Sequence, residues 1–286
     1  MRVIVAGCGY LGLQVARLLH ASKWDVIGLT HSEQSAAKLE GEPFLVIPCD
    51  ISDRDAVESF ASEIGGEPAA ILHCASSGGG DASVYRDVYL KGTINLIEVL
   101  QPQRFVFCSS TSVYAQTDGD WVTEDSDALP TRVTGQVLRE AEEFVLGHTG
   151  IIARLSGIYG PKRSVLLRRF FADEAVIDGD GRRWVNQIQR DDAASALALL
   201  VENGSPGIYN VSDDSPSPQF ELYDWLAKQF DKPRPPFGPV DEDRKRGVTN
   251  KYVSNAKLRS LGWKPRYPTF YDAVAADPAM VDFARA

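Results

Sequence analysis

The sequence predicts an α/β fold: a doubly wound parallel sheet with helices on both faces, and a smaller C-terminal domain interleaved with the last sheet elements. Three observations carry that prediction. Short β-branched apolar runs alternate repeatedly with segments of helical apolar spacing. A glycine-rich break directly follows the first run, and beyond Gly160-Pro161 the alternation gives way to a region richer in proline and turns. At 286 residues, 44% hydrophobic and 24% charged, the chain is long enough to bury a sizeable core, and its composition is ordinary for a globular protein.

The first run is Arg2 to Ala6, broken by Gly7-Cys8-Gly9-Tyr10-Leu11-Gly12, after which Leu11, Val15, Leu18 and Leu19 recur at helical spacing. A second run follows at Asp25 to Leu29. Strand, glycine turn, helix and strand is the order that lays a dinucleotide's pyrophosphate on a helix N-terminus, where free N–H groups and the dipole meet the anion. The fold is therefore expected to be Rossmann-type. Gly7 permits the tight turn, Gly9 lets the main chain approach the phosphates, and Gly12 lets the helix pack on the strand. Tyr10 and Leu11 belong to the same candidate cofactor loop.

Further strands are predicted at Phe44 to Pro48, Ala69 to Cys74, Arg104 to Ser109 and Ile151 to Leu155. Helices are predicted from Asp53 to Ile64 and from Tyr85 to Leu100. The ligand cleft of such a sheet lies outside the C-terminal ends of the strands. Later come a basic helix from Ser164 to Phe171, a long helix from Asp191 to Val201, a helix from Gln219 to Phe230, and a proline-rich connector. The dinucleotide domain is expected at 1–157 plus about 186–211, and the substrate domain at 158–185 plus 212–286.

A formal net charge of -9 argues against a nucleic-acid partner, which needs a basic face. Basic pairs at Lys162-Arg163, Arg168-Arg169 and Arg182-Arg183 could meet a small anion; solvated surface charge is the competing reading. Arg163, Arg182 and Arg183 are the substrate-binding candidates. No apolar run reaches membrane-spanning length and no signal-peptide pattern opens the chain, so the expectation is a cytoplasmic protein without a membrane partner. Cys8, Cys49, Cys74 and Cys108 lack CxxC spacing and read as buried thiols, not disulfides or metal ligands; no metal is expected.

With these segments placed, the chain resembles the extended short-chain dehydrogenases/reductases, in the NAD-dependent epimerase/dehydratase family, nearly end to end. The matching pieces beside the glycine turn are Cys49-Asp50-Ile51-Ser52-Asp53, His73-Cys74-Ala75, Gly92-Thr93-Ile94-Asn95-Leu96 and Ser109-Ser110-Thr111-Ser112-Val113-Tyr114. They continue with the run from Arg154 to Pro161, Asp191-Asp192-Ala193, and the run from Lys257 to Pro265. The resemblance implies cofactor contacts at Asp50, Ile51, Cys74, Ala75, Ser76, Leu155 and Ser156. Asp50 would accept from the adenine amino group, or else cap the helix that follows; Asp53 is the expected N-cap, and His73 is expected in the core.

Two departures bear on chemistry. The end of the second strand reads Thr30-His31-Ser32, without the acid that usually holds the ribose 2'-hydroxyl of NAD, so NADP is favoured over NAD. The family's YxxxK pair, whose tyrosine transfers the substrate proton, is replaced by Thr134 and Leu138, and the family asparagine before the GT motif by Tyr89. Ser110 stands at the place of the catalytic serine or threonine. Tyr114 is a candidate substitute phenol, weighed against a packing role.

Two functions are therefore expected. One is an epimerase/dehydratase-like oxidoreductase with altered catalytic residues, acting on a nucleotide-sugar-like or other hydroxylated anionic substrate. The other is a non-catalytic NAD(P)-binding redox sensor or regulatory protein. For assembly, the resemblance offers a homodimer paired through the helices Tyr85 to Leu100 and Thr131 to Leu146, with a monomer as the alternative.

Overall fold

The computed structural model describes residues 1–79, 81–240 and 248–285, so residues 241–247 and 286 of the expected substrate domain lie outside the described residues. The chain divides into two compact units. The first comprises 1–113, 132–154 and 194–209, and the second 114–131, 155–193 and 210–286. Relative to the sequence expectation, the segments 114–131, 155–157, 186–193 and 210–211 fall in the second unit.

The first unit is built on a seven-stranded parallel sheet ordered Gly207–Val211, Ile151–Leu155, Phe105–Ser110, Ala70–His73, Arg2–Ala6, Asp25–Thr30 and Leu45–Pro48. The strand order reverses at Arg2–Ala6, which pairs in register with Asp25–Thr30 on one side (Ala6 opposite Leu29) and Ala70–His73 on the other (Ala6 opposite His73). That reversal makes the topological switch point where open α/β sheets bind ligands. Central strands are apolar on both faces because helices cover both: Val3, Ile4, Val5, Ile71, Leu72, Val106 and Phe107 are fully buried.

Local chemistry sets the helix boundaries. Arg54–Ile64 starts at Asp53, whose side chain accepts from Asp55 N, and its Val57 and Phe60 are buried. The expected helix from Tyr85 to Leu100 is an α-turn at Ala82–Tyr85, a π-helical turn at Arg86–Lys91 and an α-helix at Gly92–Leu100.

The second unit has its own core, in which Tyr159, Leu167, Phe170, Leu222, Leu226 and Phe270 are buried together. Two motifs meet in it. Asp192 is buried and its carboxylate accepts from Arg266 N (2.6 Å) and Tyr267 N (3.0 Å), tying the Asp-Asp-Ala run to the segment after Trp263. Burial raises the Asp192 pKa, and the two backbone donors oppose that rise. No helix among the described residues is long and apolar enough to cross a membrane.

Candidate functional site

The glycine loop is packed with no slack at two of its three glycines. Gly7 has φ +94°, and a Cβ there would lie 2.3 Å from Ala75 N and 2.7 Å from the Cys74 carbonyl carbon. A Cβ on Gly12 would lie 2.2 Å from Gly7 O. At Gly9, by contrast, nothing lies within 4 Å of the Cβ position. The loop is held by Gly7 N and Cys8 N, both donating to Leu29 O at 3.0 and 2.8 Å, and by Gly9 N donating to Gly7 O. The helix Gly12–Ala21 then starts at the third glycine without a side-chain cap, and Leu13 N and Gln14 N donate back to Gly9 O (2.9 Å) and Leu11 O (3.0 Å). Tight backbone packing on one side and open space at the middle glycine is the cradle a pyrophosphate needs.

Beside the cradle, the second strand ends at Thr30, whose Oγ1 donates to Ser32 O at 3.2 Å. Ser32 caps the short helix Glu33–Ala37 by accepting from Ser35 N. His31 is exposed (side chain 80%), and its Nδ1 lies 3.7 Å from Asp50 Oδ1. Asp50 Oδ1 also accepts from Ser52 N (3.0 Å) and Ser52 Oγ (2.7 Å). Asp50 thus folds its own turn, and Asp53 is the helix cap, as its sequence position implied.

The Gly-Thr-x-Asn motif acts as scaffolding for this wall. Asn95 Nδ2 donates to Ile51 O at 2.9 Å, and a Cβ on Gly92 would strike the Ile51 side chain at 2.9 Å. Thr93 Oγ1 donates to Tyr89 O at 2.6 Å, and the Tyr89 hydroxyl lies 3.4 Å from Ser76 Oγ. Asn95 and Gly92 are site-supporting residues that the sequence reading quoted only as motif letters. Their signal was a polar amide inside an apolar helical stripe.

His73 is fully buried between Phe105, Phe107 and Tyr89, and its Nε2 donates to Val88 O at 3.1 Å. Val88 sits in the π-turn, so the histidine binds the backbone of the turn that the helix widens. Burial pushes the His73 pKa down to about 4. The unfolded chain therefore binds a proton between pH 6.5 and 4 that the folded chain does not. Stability is full above that window and falls as pH drops through it. Unfolding wild type and His73→Gln in denaturant at pH 7.5 and 4.5 should show wild type losing about 2–3 kcal/mol more than the variant. A pH-independent difference between the two contradicts the neutral, buried imidazole.

At the end of the strand Phe105–Ser110, Ser110 Oγ accepts from Ser112 N at 3.2 Å, which leaves its hydroxyl proton to donate to a ligand oxygen. Its neighbour Ser109 is held from behind. Ser109 Oγ donates to Glu142 Oε1 at 2.6 Å, and Arg154 grips the same carboxylate through Nε (3.0 Å) and Nη2 (2.7 Å). Arg139 Nη1 also pairs with Glu142. Glu142 of the helix Val133–Gly147 and Arg154, which leads the Arg154 to Pro161 run, thus form one buried ion cluster under the serine strand.

Thr134 lies in the first turn of the helix Val133–Gly147 and is half-buried, while Leu138, one turn on along the same face, is buried. A threonine hydroxyl supplies no base near neutral pH, and Leu138 supplies neither cation nor hydrogen bond. Tyr114 requires a correction as a substitute phenol. It is fully buried, its hydroxyl donates to Thr123 O at 2.9 Å, and the Asn210 amide lies 2.9 Å away, able to donate back through its nitrogen. Tyr114 packs the second unit, whose described part also holds Leu155 and Ser156, both buried.

Of the three candidate arginines, Arg183 faces the buried carboxylate of Asp178 at 3.5 Å, an ion pair already made within its own unit. Arg182 is exposed (side chain 83%) with Asp180 3.8 Å away. Arg163 closes a tight turn through paired backbone bonds with Gly160. No group of three or more metal-ligating side chains occurs among the described residues.

Comparison with known proteins gives consistent matches. The model of the NAD dependent epimerase/dehydratase family matches residues 3–212. Protein YeeZ of Escherichia coli (strain K12) is 30% identical over 285 residues, covering 93% of this chain and 96% of that protein. The structure of a candidate NAD-dependent epimerase/dehydratase from Methylobacillus flagellatus superposes with TM-score 0.79 at 30% identity, covering 96% of each chain. UDP-glucose 4-epimerase of Thermotoga maritima, solved with UDP-glucose, shares the fold with TM-score 0.82 at 19% identity, covering 100% of this chain and 99% of that one.

Proposed function

This chain belongs to the NAD-dependent epimerase/dehydratase family, and we propose that it is an oxidoreductase or epimerase of altered catalytic machinery. Its substrate is a nucleotide-sugar-like or other hydroxylated anionic molecule, and its dinucleotide is NADP in preference to NAD. The observation that carries this reading is the cradle: Gly7 and Gly12 are locked against backbone while Gly9 is open. NADP is favoured because Thr30 and His31 put no carboxylate of their own at the end of the second strand.

The bound dinucleotide supplies a hydride donor or acceptor. The protein's own share is binding and polarisation. The loop and helix N-terminus neutralise the pyrophosphate, Asn95 holds the Ile51 wall, and the Ser110 hydroxyl donates a hydrogen bond that polarises the reacting oxygen. Without the tyrosine and lysine, the chain forgoes acid–base help typically worth about 10² to 10⁴ in rate, or roughly 3 to 5.5 kcal/mol. That loss also supports the second reading, a dinucleotide-binding sensor without turnover, because buried Leu138 removes the family's lysine outright.

The deciding experiment follows reduced-cofactor absorbance across a panel of nucleotide sugars and small carbonyl compounds, after competitive titration with NADP and NAD. Turnover that falls about 10²-fold in Ser110→Ala, with cofactor affinity unchanged, is the expected result. Turnover unaffected by Ser110→Ala removes that role. No turnover despite tight binding favours the sensor, and tenfold tighter NAD binding reverses the cofactor preference.

A further inference from the structure

Two thiols sit side by side at the C-terminal edge of the sheet, against the cradle. Strands Ala70–His73 and Phe105–Ser110 run parallel with His73 opposite Phe107, so the next pair in register is Cys74 and Cys108. Their sulfurs are 3.3 Å apart, both cysteines are free, and both residues are only partly buried. Cys8 and Cys49, by contrast, are buried. Parallel neighbours in register lie within the Cα range a disulfide spans, and closure needs the sulfurs to approach by roughly 1 Å.

We propose that Cys74 and Cys108 form a reversible intramolecular disulfide on exposure to a hydroperoxide, and that this oxidation loosens dinucleotide binding. The second half rests on the cofactor reading above. The hydrogen bond to Cys108 and burial hold the Cys74 thiol protonated, and the oxidation starts at Cys108. Its thiolate takes one oxygen of hydrogen peroxide: an S–O bond forms, the O–O bond breaks, and the departing hydroxide takes up the proton that Cys108 lost and leaves as water. Cys74 sulfur then attacks the sulfenic sulfur, forming S–S and expelling a second water that carries the Cys74 proton. The two sulfurs lose two electrons, and the peroxide becomes two waters. A dithiol reductant reverses the change.

The link to binding is steric. Cys74 N donates to Ala6 O at 2.7 Å, and the Cys74-Ala75 peptide forms the surface against which Gly7 packs without room for a methyl group. Drawing Cys74 towards the neighbouring strand therefore displaces the wall of the cradle.

The test treats the full chain with hydrogen peroxide, then alkylates it under denaturing conditions and maps peptides. The reduced protein, with four free cysteines, takes four labels; the oxidised one should take two, with Cys74 and Cys108 cross-linked. Dinucleotide affinity should fall on the order of tenfold and return with dithiothreitol. Cys108→Ser should show the same affinity before and after peroxide. All four cysteines remaining alkylatable, a cross-link through Cys8, or a mapped disulfide that leaves affinity unchanged overturns the proposal. A reduced protein that binds no dinucleotide contradicts the cofactor reading instead, and the peptide map still decides the disulfide.

Discussion

Glu142→Ala should destabilise the protein by about 3–5 kcal/mol, because it leaves a buried guanidinium without its counter-charge. Glu142 is 0% exposed and Arg154 1% exposed. The carboxylate receives two bonds from Arg154 and one from Ser109, and Arg139 adds a further ion pair. Removing it takes the acceptor from several donors in a buried region. A loss of this size is a large fraction of the stability of an ordinary domain. Glu142→Gln should cost less, since the amide oxygen still accepts from Arg154 while the charge is gone. The measurement is denaturant unfolding of both variants beside wild type. An alanine variant within about 0.5 kcal/mol of wild type, the range of ordinary surface substitutions, contradicts the burial of the cluster. Because the same carboxylate holds Ser109, the glutamine variant also reports on the strand that presents Ser110.

The glycine loop carries the second large effect, and its glycines separate folding from binding. Gly7→Ala should damage both, because its φ of +94° and a Cβ 2.3 Å from Ala75 N force backbone movement. Gly9→Ala should leave the fold intact, since its Cβ meets nothing within 4 Å. In the proposed function the pyrophosphate approaches through that space, so the methyl group should cost about 10²-fold or more in dinucleotide affinity.

Much of this architecture was legible in the sequence, for identifiable reasons. The apolar run at Arg2–Ala6, the glycines after it and the helix that follows are local signals, and the strand Ile151–Leu155 has the predicted limits. Asp53 reads as a cap because an acid one residue before a helical stripe has little else to do. What escaped was non-local. The π-turn at Arg86–Lys91 carries Val88, whose carbonyl accepts from His73 on a separate strand.

The buried cluster joins Ser109, Glu142 and Arg154 from three separate elements, two strands and the helix Val133–Gly147. Its one local hint was a glutamate sharing a helix face with Leu138, Ala141 and Val145. Tyr114 could be weighed as a substitute phenol only while its partners were unknown; Thr123 and Asn210 settle its place. The segment 114–131 belongs to the second unit through such contacts, which no composition shift announces.

The most direct test is calorimetric titration of wild type and Gly9→Ala with NADPH, each paired with a thermal melt. The expected result is saturable binding by wild type, binding weakened about 10²-fold or more in the variant, and melting temperatures that agree without ligand. Equal affinity in the two proteins, or no binding by either, contradicts a dinucleotide cradle at the amino-terminal loop.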